Sequence, residues 1–160
     1  MRFWTALLLV FAGVATSAST KSEDVEAYRE LVKQDLRLAS VGYRLASANS
    51  AFCKVRAQNA GWVLHDIAQY PDESAARAAF GFDQPVQVAA VVAGGPADRA
   101  GIEAGDNFVG MDDATIYWPA MPVGKTGYER MASFRQLVAE RWGTGEGLAV
   151  KLSREGTVKE

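Results

Sequence analysis

The chain has 160 residues, 49% of them apolar, with 17 basic and 19 acidic side chains and a formal net charge of −2. That length allows one ordinary domain or a small domain with a helical extension, and the apolar share excludes global disorder. The weakly acidic balance carries no electrostatic footprint for nucleic acid, while a lone Cys53 and a lone His65 exclude an intrachain disulfide, a Cys-based zinc site and the two-His metal motifs.

The chain begins with a positive residue, Arg2, and an almost unbroken apolar run over residues 3–14. Small residues follow, Ala15-Thr16-Ser17-Ala18. This is the layout of a secretory signal peptide over residues 1–18, with cleavage after Ala18. The apolar run is shorter than the ~20 residues of a spanning helix. No second apolar run follows, so the cleaved chain is expected to be secreted or periplasmic and free of the membrane. Thr20 and Glu23 have capping-box spacing. Val25, Tyr28, Val32, Leu36, Ala39 and Tyr43 then recur at steps of three and four, the stripe of an amphipathic helix. Asn49-Ser50 reads as its end. Residues 61–70 form a short apolar stretch closed by Pro71. Asp72 is placed to cap a helix over residues 73–80, stopped at Gly81.

From Phe82 the texture changes. Val86, Val88, Val91 and Val92 read as strand, and Gly94-Gly95-Pro96 as a turn. Residues 97–100 form one helical turn, and residues 108–111 a second strand ending in Asp112-Asp113. Residues 117–127 read as a loop. Apolar residues at 128, 131, 134, 138 and 142 predict a helix. Residues 148–152 read as a strand, and Glu155-Gly156 as a tight turn into a last strand. The sequence stops inside that hairpin, which reads as a truncated product or a missing downstream region.

The most specific stretch is Gly95-Pro96-Ala97-Asp98-Arg99-Ala100-Gly101-Ile102-Glu103-Ala104-Gly105-Asp106-Asn107-Phe108-Val109. Pro96 opens a helical turn at a position that needs no amide donor. Gly101 ends it where a left-handed conformation is cheap. Ile102 plugs the core, and Gly105-Asp106 turns the chain into the next strand. This run resembles the signature of the bacterial PDZ domain, G-S-P-A-x-x-A-G-Φ-x-x-G-D-Φ-Φ. It departs in two places: no Ser precedes Pro96, and Asn107 stands where an apolar residue is usual. The resemblance covers about residues 79–160. It implies an α+β protein: a helical N-terminal region, residues 19–78, then a PDZ-like small β-barrel or sandwich with two helices, residues 79–160.

Such a domain takes an extended or C-terminal peptide of another protein as an added strand, between a strand edge and a helix. A loop of type x-Φ-G-Φ holds the peptide carboxylate through backbone amides. Ala79-Phe80-Gly81-Phe82 fits that pattern, and Gly81 would let the backbone approach the anion. The other reading of Gly81 is a helix C-cap between two core phenylalanines. On the helix, Phe134 and Val138 face either the groove or the core.

The whole arrangement, with Val41-Gly42-Tyr43-Arg44 on the first helix and Leu64-His65-Asp66 before the domain, is also similar to the front half of certain secreted bacterial zinc metallopeptidases. Their H-E-x-x-H helix lies downstream and is absent from this sequence. The second reading is therefore the substrate-presenting or regulatory front part of such a peptidase. A third is a structural domain whose groove the N-terminal helices fill.

Sharper chemistry finds little support. His65 and Asp66 are adjacent, so on a helix they would not face each other, and no G-x-S-x-G elbow exists. Cys53 and His65 would form a thiolate pair only if the fold joined them. Gly124-Lys125-Thr126 imitates the end of a phosphate loop but lacks its first Gly. Asp106, Asp112 and Asp113 lack calcium-loop spacing. The sequence thus predicts a non-catalytic peptide-binding module with no metal and no cofactor.

Overall fold

A computed structural model of the chain describes residues 15–54, 58–124, 126–143 and 147–159. The predicted targeting segment lies outside these residues except for its last four positions. There the first helix, α1 (Ala15–Ala48), has already begun. Thr20 and Glu23 therefore sit inside α1 and not at its start, because the chain upstream of Thr20 continues the helix. Its end is as expected. The Asn49 side-chain amide donates to the Leu45 carbonyl at 2.8 Å and competes with a further turn.

The rest of the chain folds round one open antiparallel sheet. Its strands are β1 (Trp62–Asp66), β2 (Val86–Val91), β3 (Asn107–Met111), β4 (Ala114–Thr115), β5 (Val150–Arg154) and β6 (Thr157–Lys159). They lie in the order β1-β2-β3-β5-β6, with the short β4 paired to β3. Three further helices join them: α2 (Glu73–Phe80), α3 (Pro96–Arg99) and α4 (Tyr128–Trp142). The fold class is α+β with a helical N-terminal region, as expected. The sheet, however, is open, where a small barrel or sandwich was expected.

The expected boundary at residues 78/79 does not separate two structures. β1 pairs with β2 from Trp62↔Val91 to Asp66↔Val86, so the sheet begins at Trp62. The stretch 61–70 reads poorly as strand because Trp62-Val63-Leu64 is continuously apolar. Both of its faces are covered in part, and alternation is lost.

Two apolar clusters hold the fold. The larger gathers Val86, Val88, Ile102, Phe108, Met111, Trp118, Phe134 and Leu152 beneath α3 and α4. Phe108 and Phe134 are fully buried, with ring centroids 4.9 Å apart. Each such ring contributes about 1.5–3 kcal/mol by burial. The smaller joins Ile67, Tyr70, Ala76 and Phe82, with Tyr28 of α1 packed against it. Asp72 caps α2 by accepting from the Ser74 and Ala75 amides at 2.8 and 3.0 Å.

Both departures from the PDZ-like signature have physical causes. A Cβ at Gly95 would stand 2.9 Å from the Val92 carbonyl oxygen and 3.3 Å from that of Ala60. No serine fits there without a shift. Asn107 is buried because its side-chain oxygen accepts from the Asp83 and Gln84 amides, each at 3.1 Å, while its Nδ2 donates to the Gly105 carbonyl at 2.9 Å. It ties the α2–β2 connection to β3.

Candidate functional site: a strand edge beside a helix

β1 is an edge strand, and α4 runs beside it. Between them lies a cavity of about 430 Å³. Gln58, Asn59, Ala60, Trp62 and Leu64 line it from the strand side. Arg135, Val138, Ala139 and Trp142 line it from the helix.

Among the described residues, the strand side offers unpaired backbone. The Gly61 carbonyl accepts from the Val92 amide at 2.7 Å, so Gly61 bonds inward to the sheet. Hydrogen-bonding direction alternates along an antiparallel strand. Trp62 therefore points its N–H and C=O away from the sheet. Leu64 does the same, because its partner Val88 is bonded to the other neighbour: Val88 N–H to the Asp106 carbonyl, and Gly105 N–H to the Val88 carbonyl, both at 2.8 Å. At Asp66 the open edge ends, since its amide donates to the Gln69 side chain at 3.3 Å. The edge thus presents a short ladder at Trp62 and Leu64.

The two ends of this groove differ. At one end the chain enters β1 through Asn59-Ala60-Gly61-Trp62. Gly61 has φ +76, and its amide donates to Asn59 Oδ1 at 2.9 Å. This segment is fixed to α3, whose Ala97 amide donates to the Ala60 carbonyl at 2.8 Å. At the other end Arg130, on the first turn of α4, clasps the buried Asp66 with both guanidinium arms, Nε reaching Oδ2 at 2.6 Å. Asp66 Oδ1 also accepts from the Ala68 amide at 2.8 Å. Gly127, at φ +69, lets α4 approach. A Cβ there would lie 2.7 Å from the Asp66 carboxyl carbon. The pair holds α4 at a fixed distance from the strand.

The residues expected to bind peptide are not brought together. Gly81 is the left-handed C-cap of α2, its amide bonded to the Arg77 carbonyl at 2.8 Å. Phe80 and Phe82 belong to the smaller apolar cluster. The carbonyls of Phe80 and Gly81 accept from the Gln87 side chain at 3.1 and 3.4 Å. Ala79 and Phe80 line a separate cavity against Val88, Ala89 and Ala104, not the one beside α4. Phe134 is buried against Phe108 and Trp118. Only Val138 of the expected set lines the groove.

Sequence reasoning passed over Asn59, Ala60, Gly61 and Trp62. They also fit x-Φ-G-Φ, with a small apolar Ala60 in the first Φ position, and they lead directly into a strand. That context was the available signal.

The groups weighed for catalysis are otherwise occupied. His65 is buried; Nδ1 meets the Tyr70 hydroxyl, and Nε2 lies 3.1 Å from Asp35 of α1. Burial lowers its pKa, against an upward pull from Asp35. Burial also raises that of Tyr70. Cys53 is exposed and its Sγ faces the Asn49 carbonyl at 3.7 Å, with both His65 nitrogens engaged elsewhere. Asp106 is buried and clasped by Arg154 at 2.6 and 2.7 Å. Among the described residues no group of three or more His, Cys, Asp or Glu could hold a metal ion, and no helix is long and apolar enough to cross a membrane.

No family model matches the chain, and comparison with curated proteins and with solved structures returned no match.

Proposed function

We propose that this chain is a PDZ-like peptide-binding module of the periplasm or the secreted fraction. It receives an extended or C-terminal peptide of another protein as a strand added to β1. The observation that carries this reading is the pair of outward-facing backbone positions, Trp62 and Leu64, on an open edge that α4 walls at a fixed distance. Main-chain bonds supply affinity there, and side-chain pockets supply selectivity. Trp62, Leu64, Val138 and Trp142 supply apolar surface. The peptide carboxylate belongs at Asn59-Ala60-Gly61-Trp62, where the Trp62 amide faces outward. A ligand ending there runs antiparallel to β1. The module performs no chemistry of its own.

The test uses the chain from residue 19 and a library of fluorescein-labelled peptides with free C-termini. Binding that weakens about tenfold on C-terminal amidation is expected, the loss of a charge-assisted hydrogen bond. Ala139→Glu, at an exposed position lining the groove, should weaken it again. Ala79→Glu, beside the other x-Φ-G-Φ loop, should not. The reverse pattern would move the site to residues 79–82. No binding by this chain would overturn the receptor reading.

A further inference from the structure

We propose that the receiving edge is a trough with two walls, α4 on one side and α1 on the other. Its ligand is an extended segment with apolar side chains facing α1 at alternate positions and one carboxylate side chain facing Arg135. The inference rests on the reading of β1 as a peptide-receiving edge and names the ligand chemistry of that site.

A second cavity, of about 400 Å³, opens against the same edge from the α1 side. Trp62, Leu64 and Arg135 line both cavities, so the strand edge floors the two together. From α1 the second cavity receives Asp35, Leu38 and Ala39. α1 lies antiparallel to β1: Tyr28 packs near Tyr70, Asp35 meets His65, and Tyr43 reaches Gly61.

A helix that served only to cover the sheet would turn its leucines inward. α1 instead leaves Leu31, Leu38 and Leu45 exposed at 45%, 73% and 60%. Their seven-residue spacing puts them on one face, and Leu38 stands in the cavity wall. An added strand sends successive side chains to opposite faces. One set meets Val138 and Trp142 on α4, and the other meets Leu38 on α1. The segment that fits is therefore apolar at neighbouring positions, not on one face only.

Charge chooses the remaining feature. Arg135 is exposed and makes no hydrogen bond or ion pair among the described residues. The one carboxylate lining the second cavity, Asp35, is engaged with His65 Nε2. Asp35 keeps its charge but has its hydrogen-bond partner in His65, whereas Arg135 has none among the described residues, and its planar guanidinium fork matches a ligand carboxylate.

The experiment is a positional scan. Fluorescein-labelled nonapeptides with free C-termini, in a Val/Thr host, carry Glu, Lys, Leu or Ser at each position in turn. Fluorescence polarisation is read for the native chain, Arg135→Glu and Leu38→Asp. Both substituted side chains are exposed, and a thermal melt confirms that each variant is folded. At one position Glu is expected to exceed Lys by about fivefold, and Arg135→Glu to reverse that order. At positions of one parity the preference for Leu should collapse in Leu38→Asp and persist at the other parity. Peptides that bind all three proteins with the same positional preferences overturn the inference and leave the receptor reading intact. Loss of self-association in Leu38→Asp without a change in peptide preference overturns it too, giving the leucine face to a second copy. No peptide binding by the native chain overturns both readings together.

Discussion

At position 95 the backbone of the turn, the Val92 carbonyl and the Ala60 carbonyl converge so closely that only a hydrogen fits. Gly95→Ser would restore the residue usual in the signature the sequence resembles, yet it is expected to destabilise the fold by roughly 1–3 kcal/mol through overpacking. Urea denaturation measures this, and unchanged stability would refute the close contact. His65 gives a second expectation. Its folded pKa is lowered, chiefly by burial, while the unfolded chain titrates near the ordinary value of about 6.5. Below that value the unfolded state binds more protons than the folded one, so stability falls as pH drops from about 6.5 toward the folded pKa and is complete above it. Melting curves at pH 7.5 and 5 should show a decline, smaller in His65→Gln. Sequence reasoning did not find Asp35 and Tyr70 as the partners of His65, because partners 30 and 5 positions away leave no local pattern.

Elements written in local chemistry were legible. α2 runs over residues 73–80, as its caps predict, and α4 over residues 128–142, as its apolar period predicts. The turn at Glu155-Gly156 has the positive φ values, 50° and 77°, that a tight hairpin turn needs. β1 was not legible as a strand. Its partner β2 lies beyond an intervening helix, and its short apolar run has no alternation. With β1 not legible as a strand, Ala79-Phe80-Gly81-Phe82 is the one candidate binding loop that the sequence reading offers. The Asp66–Arg130 pair joins β1 to α4 and leaves no local pattern either, being a contact across 64 positions. Asp66→Ala leaves a buried guanidinium without its partner and removes the cap on the following turn. The expected loss is about 3–5 kcal/mol, together with weaker peptide binding as α4 drifts from β1. A chemical denaturation midpoint close to the native one would contradict the role assigned to this pair.

For the molecule as a whole, α1 belongs to the fold and is not a separate extension. It reaches the smaller apolar cluster through Tyr28 and the sheet through Asp35, while the larger cluster sits under α4. The α+β class and the order of most elements followed from the sequence; the open sheet and the placement of α1 along β1 are tertiary facts without a local signal. An open strand edge with apolar flanks also has a colloidal consequence, because such an edge templates pairing with any exposed strand. Concentrated solutions of the free protein are expected to form edge-paired oligomers, with sedimentation coefficients that rise with concentration. A saturating groove peptide should return them to the monomer value, so ligand supply would govern the solubility of this protein as well as its occupancy.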